Sequence, residues 1–319
     1  LVNKARSASK ALQLSSVTQL IADGVNIVLA RPLLVLIPFL VDLQYLLGWR
    51  ITLGPLMDRL AGDIQESDRS GSEQAGDFVE HLGSLDLAGM VAILVPSFLG
   101  GIDRDELYAP VSHGAVTIDN WALGLGVLVT MIVIAAAVYA LFGLWLADAG
   151  IARNRSWEAR LRRVPITGAR IVGLAALILG LLLLLTLPIG LAWAATAIAG
   201  AQMQGLFLPL IAFVAITVIV LFYFAPEALF VAETGPADSM RLSAKVVRRH
   251  IWPTLGFAMA TLLVSAGLGE IWERMAGNPP GMLIAMLASG FVGCSLAIAS
   301  MLFFNERWKA LDVEPGQSR

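Results

Sequence analysis

The chain has 319 residues, of which 57% are hydrophobic and only 14% charged, with a mean hydropathy of +0.77. Soluble domains carry roughly 25% charged residues, so this composition excludes a water-solvated surface and assigns most of the chain to lipid. The net charge of −2 argues against nucleic acid as a partner.

The N-terminal "LVNKARSASKALQLSS" has basic residues but no apolar core directly after them, which does not fit a cleavable signal peptide. Apolar runs of about 20 residues can cross about 30 Å of hydrocarbon as helix, and six are predicted. The first is 32–49, interrupted by Pro38 and Asp42. The second covers 121–147, the third 171–199 with Pro188, and the fourth 206–230 with Pro209. The fifth covers 253–272 and the sixth 281–304. Helix is the expected form of each, because unpaired backbone in lipid is costly and no alternating barrel pattern is present. The fold class is therefore all-α: a polytopic transmembrane helical bundle forming one integral membrane domain over 1–319.

Lysine and arginine set the orientation. Lys4, Arg6, Lys10 and Arg31 precede the first span. Arg153, Arg155, Arg160, Arg162, Arg163 and Arg170 lie between spans two and three. Arg241, Lys245, Arg248 and Arg249 lie between four and five, with Arg307, Lys309 and Arg319 at the end. The opposite side keeps only Arg50, Arg59, Arg69, Arg104 and Arg274. Both termini are thus expected in the cytosol of a bacterial inner membrane. Segment 50–120 is an extracytoplasmic insertion bearing twelve carboxylates, from Asp58 to Asp119. Within it, 66–77 reads as an exposed loop rich in Ser, Gly and charge. The apolar stretch 87–102 is too short to cross and is expected at the outer leaflet.

Three cytosolic segments share a plan: 15–32, 156–165 and 239–253. Each reads as an amphipathic helix ending in basic residues, followed by proline and a span. In the third, Met240, Ala244, Val247 and Ile251 form one face, and Arg241, Lys245, Arg248 and Arg249 the other. Such a helix is expected in the interface, apolar side chains in lipid and cations near headgroups. Trp157 and Trp252 are placed as interfacial anchors. The recurrence reads equally as three helix-plus-hairpin repeats or as the ordinary placement of arginine and proline in inside loops. In the sixth span, Ala285, Ser289, Gly293 and Ala297 recur every four residues and offer a smooth packing stripe.

The stretches "APEALFVAETGPADSMRLSAKVVRRHIWPTLGF", "FFNERW" and "DGVNIVLARPLLVLIPFLVDL" resemble bacterial six-span proteins related to YciC and to the membrane domain of glycerophosphodiester phosphodiesterases. The matching positions are Pro226 at the end of the fourth span, Glu233, the basic helix around Ser243, and "FFNER" at the end of the last span. The resemblance covers most of the hydrophobic chain but not 50–119. It implies an architecture; it implies no reaction.

Motifs that carry chemistry are few. His81, His113 and His250 are scattered, and a cation site of His81 or His113 with Glu80, Asp103 or Asp105 stands against ordinary loop residues. There is no G-x-S-x-G elbow, no H-E-x-x-H and no Gly-rich phosphate loop. Ser295 and Cys294 have no base nearby in sequence, and one cysteine allows no internal disulfide. No enzyme, cofactor or metal is expected.

Ionisable groups at membrane depth are the remaining candidates. Asp42 is the carboxylate well inside a span, and Glu227 and Glu233 lie at the cytosolic end of the fourth. For Glu227 the expected role is pairing with Arg248, Arg249 or Arg307, and for Glu233 pairing with arginines at the cytosolic level. The leading reading is a non-enzymatic organising or accessory subunit. Arg160, Arg162, Arg163, Arg241, Lys245, Arg248 and Arg249 would contact anionic headgroups or other membrane subunits. The alternative is a transporter or channel for a small or amphipathic solute with Asp42, Glu227 and Glu233 on its path. A lipid-modifying enzyme using the outer segment is a weaker third.

Overall fold

The computed structural model describes residues 14–48, 50–66, 76, 79, 83, 86–87, 115–198 and 204–313. The loop 67–75, the stretch 88–102 and the expected cation ligands Glu80, His81, Asp103, Asp105 and His113 lie outside them. The described residues are 86% helical. Five helices are long and apolar enough to cross a membrane, or six if one bent pair counts as a span.

The chain opens with α1 (Val17–Ala30), where the Ser16 hydroxyl accepts the Gln19 N–H at 3.2 Å and caps the first turn. A 3-10 turn (Pro32–Val35) and α2 (Leu36–Leu47) follow. The pair bends by 97° at Arg31, whose φ of −138° leaves the helical region ahead of Pro32. The amphipathic stretch 15–32 and the apolar run 32–49 are therefore carried by separate rods, as the proline implied.

Next come β1 (Arg50–Thr52), α3 (Gly54–Gln65) and β2 (Ala115–Thr117). The strands pair in parallel, Arg50 beside Ala115 and Thr52 beside Thr117, and Ile118 N–H extends the ladder to the Thr52 carbonyl at 3.1 Å. This short β pair has no counterpart in the sequence reading. Three residues per strand carry too little periodicity to be seen. It brings the two ends of the insertion together.

The remaining helices are α4 (Trp121–Gly150), α5 (Trp157–Ile198), α6 (Gln204–Leu221), α7 (Ala225–Val231), α8 (Pro236–Arg249), α9 (Ile251–Met275) and α10 (Pro279–Val313). Asn120 Oδ1 caps α4 by accepting the Ala122 N–H at 2.8 Å, and Ser156 caps α5 through the Ala159 N–H at 3.3 Å. Helix α5 runs unbroken through Pro165 and Pro188. The expected separate helix 156–165 is thus the first part of one 42-residue rod. Proline removes a single N–H, and long apolar helices tolerate that loss as a kink. By contrast α8 ends at Arg249, the residue whose carbonyl the Pro253 ring would strike.

The chain divides into two compact units. One comprises 1–27, 143–263 and 295–319; the other comprises 28–142 and 264–294. In the first, Phe224, Phe257, Phe303 and Phe304 form an aromatic core, Phe224 stacking on Phe303 at 5.1 Å and 17°. Such pairs contribute about 0.5–1.5 kcal/mol beyond simple burial. Helix α1 meets α10 backbone to backbone, since a Cβ on Gly24 would overlap the Ser295 carbonyl. In the second unit, Val41, Tyr45, Ala135, Met282, Ala285 and Met286 form the core. Ala285 of the small-residue stripe is buried there, and Gly290 packs against Val35 and Pro38.

Candidate functional site

Among the described residues, a dense set of charges lies in the first unit, where the end of α4, the loop 151–156, the start of α5 and the turn 232–235 converge. Helix α4 stops because Ala152 takes the left-handed conformation, φ 53°, and the Arg153 N–H closes back on the Asp148 carbonyl at 2.9 Å. This leaves the Asp148 side chain, 1% exposed, at the negative end of the helix dipole. Cations offset that position: Arg160 Nε donates to Asp148 at 2.8 Å, and Arg155 lies 3.5 Å away.

Helix α7 ends in the same way, with Glu233 at φ 55°. One carboxylate oxygen of Glu233 accepts from Arg153 at 2.8 Å and from Arg155; the other accepts from Arg163 at 2.5 Å. Backbone contacts hold the turn as well: Arg170 donates to the Glu233 carbonyl at 2.9 Å and Arg153 to the Val231 carbonyl at 2.8 Å. Partial burial raises the Glu233 pKa, but hydrogen bonds and charges from Arg155 and Arg163 outweigh it and hold the carboxyl below its usual range.

Glu233 is thus an arginine partner, as its position suggested, and the arginines that hold it are those of the loop and the start of α5. Asp148, Arg153, Arg155 and Arg170 were not singled out from sequence as members of a site. Asp148 falls one residue past the apolar run, and the signal that could have found it is "ADAGIARNR": a carboxylate closing a span just before a basic run.

Glu227 has a different environment. Its Oε1 accepts the Ser300 hydroxyl at 2.6 Å, and its buried Oε2 has no hydrogen-bond partner among the described residues. Arg307 does not reach it. That guanidinium is buried, with its carbon 3.5 Å from the Phe303 ring centroid, and it donates to the Ser15 carbonyl at 3.3 Å. Ser15 in turn donates its hydroxyl to Glu306 at 2.8 Å. The "FFNER" segment therefore works inward, tying the start of α1 to the aromatic core. Asp42 is fully buried in the second unit, and it is not without a partner.

On α8, Arg241, Lys245, Arg248 and Arg249 are all exposed. The opposite face is not left to lipid as expected: Ser239, Ser243, Val246 and Val247 are buried against protein. The Ser243 hydroxyl accepts the Phe224 N–H at 3.1 Å and donates to the Leu221 carbonyl at 2.9 Å, filling the gap between α6 and α7. Met240 and Ala244 are half-buried at the flank. A helix this polar, docked by its seryl side, commits its cations to the outside. Trp252, just beyond it, is 80% exposed. No group of three or more potential metal ligands occurs among the described residues.

Comparison with protein-family models, curated proteins and solved structures finds no match to this chain.

Proposed function

We propose that this chain is a six-span protein of a bacterial inner membrane, both termini cytosolic, which organises its surroundings by holding anionic lipid headgroups and performs no catalysis. The observation that carries this reading is the row Arg241, Lys245, Arg248 and Arg249, exposed on a helix whose other face is fixed to the protein. A rigidly docked helix loses little freedom on binding, and each basic side chain near an anionic surface contributes about 1 kcal/mol, less for Arg241, which pairs with Asp238 at 3.3 Å. Exposed Trp252 and Trp157 suit the headgroup level. The resemblance to YciC-related proteins and the recurrence of basic segments before spans one, three and five agree with this plan, although in the middle segment Arg160 and Arg163, expected at headgroups, are turned onto Asp148 and Glu233. The test replaces the four α8 cations with glutamine and measures anionic lipid retained through purification and the assembly of membrane complexes. Loss of both is expected; retention of both at wild-type levels refutes the reading.

A second reading, a conduit for a small solute, is favoured by one observation: a carboxylate, Asp42, fully buried within a predicted span. Its test is Asp42→Asn in proteoliposomes. The conduit reading requires flux lost from a protein of normal stability, whereas the organising reading expects lowered stability and no wild-type flux to lose.

A further inference from the structure

The network around Glu233 contains more cation than it needs. Arg153, Arg155, Arg160 and Arg163 converge on two carboxylates, Asp148 meeting Arg160 and Arg155 and Glu233 meeting Arg153, Arg155 and Arg163, while Arg170 reaches only the Glu233 backbone carbonyl. Three guanidinium groups therefore close on the single Glu233 carboxylate. Guanidinium forks suit planar or tetrahedral oxyanions, and a phosphate offers more acceptor oxygens and more charge than a carboxylate does.

Three further facts bear on what the cluster holds. Glu233 is kept there in the left-handed conformation, which disfavours residues with a Cβ, so the contact is made against a local strain. The cluster is open to solvent, with Arg163 44% and Glu233 31% exposed. The turn does not depend on the carboxylate alone, since Arg170 and Arg153 also grip the Glu233 and Val231 carbonyls.

We propose that Arg153, Arg155 and Arg163 form a binding site for a phosphate group, and that the Glu233 carboxylate is its internal, displaceable occupant. An arriving phosphate takes the three guanidinium groups while the Glu233 side chain swings into solvent and its backbone stays held. This site is separate from the exposed face of α8, and its failure would leave the reading of that face untouched. The ligand is either inorganic phosphate or the phosphomonoester headgroup of phosphatidic acid, and the two are separable by experiment.

The test uses the full chain in neutral detergent at constant ionic strength. Calorimetry measures binding of inorganic phosphate, of phosphatidic acid and of phosphatidylcholine to the wild type, to Glu233→Gln and to Glu233→Gln with Arg163→Gln. Removing the internal competitor is expected to tighten phosphate-class binding at least about tenfold, the gain if Glu233 fills the site nine-tenths of the time. Adding Arg163→Gln should abolish that gain. Tightening towards both ligands marks the phosphate group itself as what is recognised; tightening towards phosphatidic acid alone marks a lipid headgroup. Should Glu233→Gln fail to fold, Glu233→Asp, one methylene shorter, is expected to tighten binding in the same direction. Unchanged affinity in a folded Glu233 variant, or a gain that survives Arg163→Gln, overturns the proposal.

Discussion

Arg160 donates through Nε to Asp148 at 2.8 Å, a charge pair across the loop that joins α4 to α5, with the carboxylate almost wholly out of water. Breaking a buried pair strands its partner, which costs more than the pair contributes when intact. Asp148→Asn should therefore destabilise the protein by about 2 kcal/mol, less than for a fully buried pair because Arg155 and Arg160 keep some solvent. Unfolding in mixed micelles of sodium dodecyl sulfate and neutral detergent checks this, and a change below about 0.5 kcal/mol would place the pair among ordinary surface contacts.

Glu233 predicts a pH dependence. Its folded pKa lies below the ordinary value of 4.5, so protons bind the unfolded chain more readily. The stability it contributes is fully present above that ordinary value and is lost as pH falls through the folded pKa. Wild type should thus lose stability on acidification below about pH 4.5 more steeply than Glu233→Gln, and the two curves should converge at the acid end. Parallel curves from neutral to acid pH would show that the arginines do not act on this carboxyl.

Ser243 docks α8 through two backbone groups, the N–H of Phe224 and the carbonyl of Leu221. Ser243→Ala leaves a buried N–H unsatisfied and should cost about 1–3 kcal/mol. Hydrogen exchange at Phe224 should rise in the same variant. Ser243→Thr, which keeps the hydroxyl, should retain most of the protection.

Ala152 and Glu233 both hold left-handed backbone without being glycine. Ala152→Gly removes the clash between Cβ and carbonyl at the end of α4, against a larger loss of chain entropy on folding. A net gain of about 0.5–1 kcal/mol in stability is expected from thermal or micellar unfolding. A loss instead would mean that the Ala152 methyl packs where none of its neighbours indicate it does.

Much of the membrane-scale plan can be read from the sequence. Apolar length alone locates the helices containing the runs 121–147, 253–272 and 281–304; Pro32 marks a true boundary because Arg31 beside it leaves the helix, and Pro253, in the first turn of α9, follows the break at His250. Pro165 marks no boundary, since a ring within a long apolar helix bends it without ending it. The exposed cations of α8 follow from helical periodicity. What covers the other face does not: Ser243 looks solvent-facing until the broken backbone between α6 and α7 supplies its partners. The partners of Glu233 were out of reach for a similar reason. A carboxylate pairs with whichever arginines the loops deliver, and Arg153, Arg155 and Arg163 come from seventy to eighty residues upstream. The β1–β2 pair leaves no trace, because register between two three-residue strands depends on chain ends meeting across the long insertion.

The central claim is that the α8 face meets anionic headgroups, and Trp252, 80% exposed immediately beyond that helix, can report on it directly. The protein is placed in bilayers of brominated phosphatidylglycerol or brominated phosphatidylcholine, and the quenching of Trp252 is taken as the difference between wild type and Trp252→Phe. The account predicts markedly stronger quenching by the anionic lipid, falling to equality when Arg241, Lys245, Arg248 and Arg249 are all glutamine. Equal quenching by the two lipids in the wild type would contradict it.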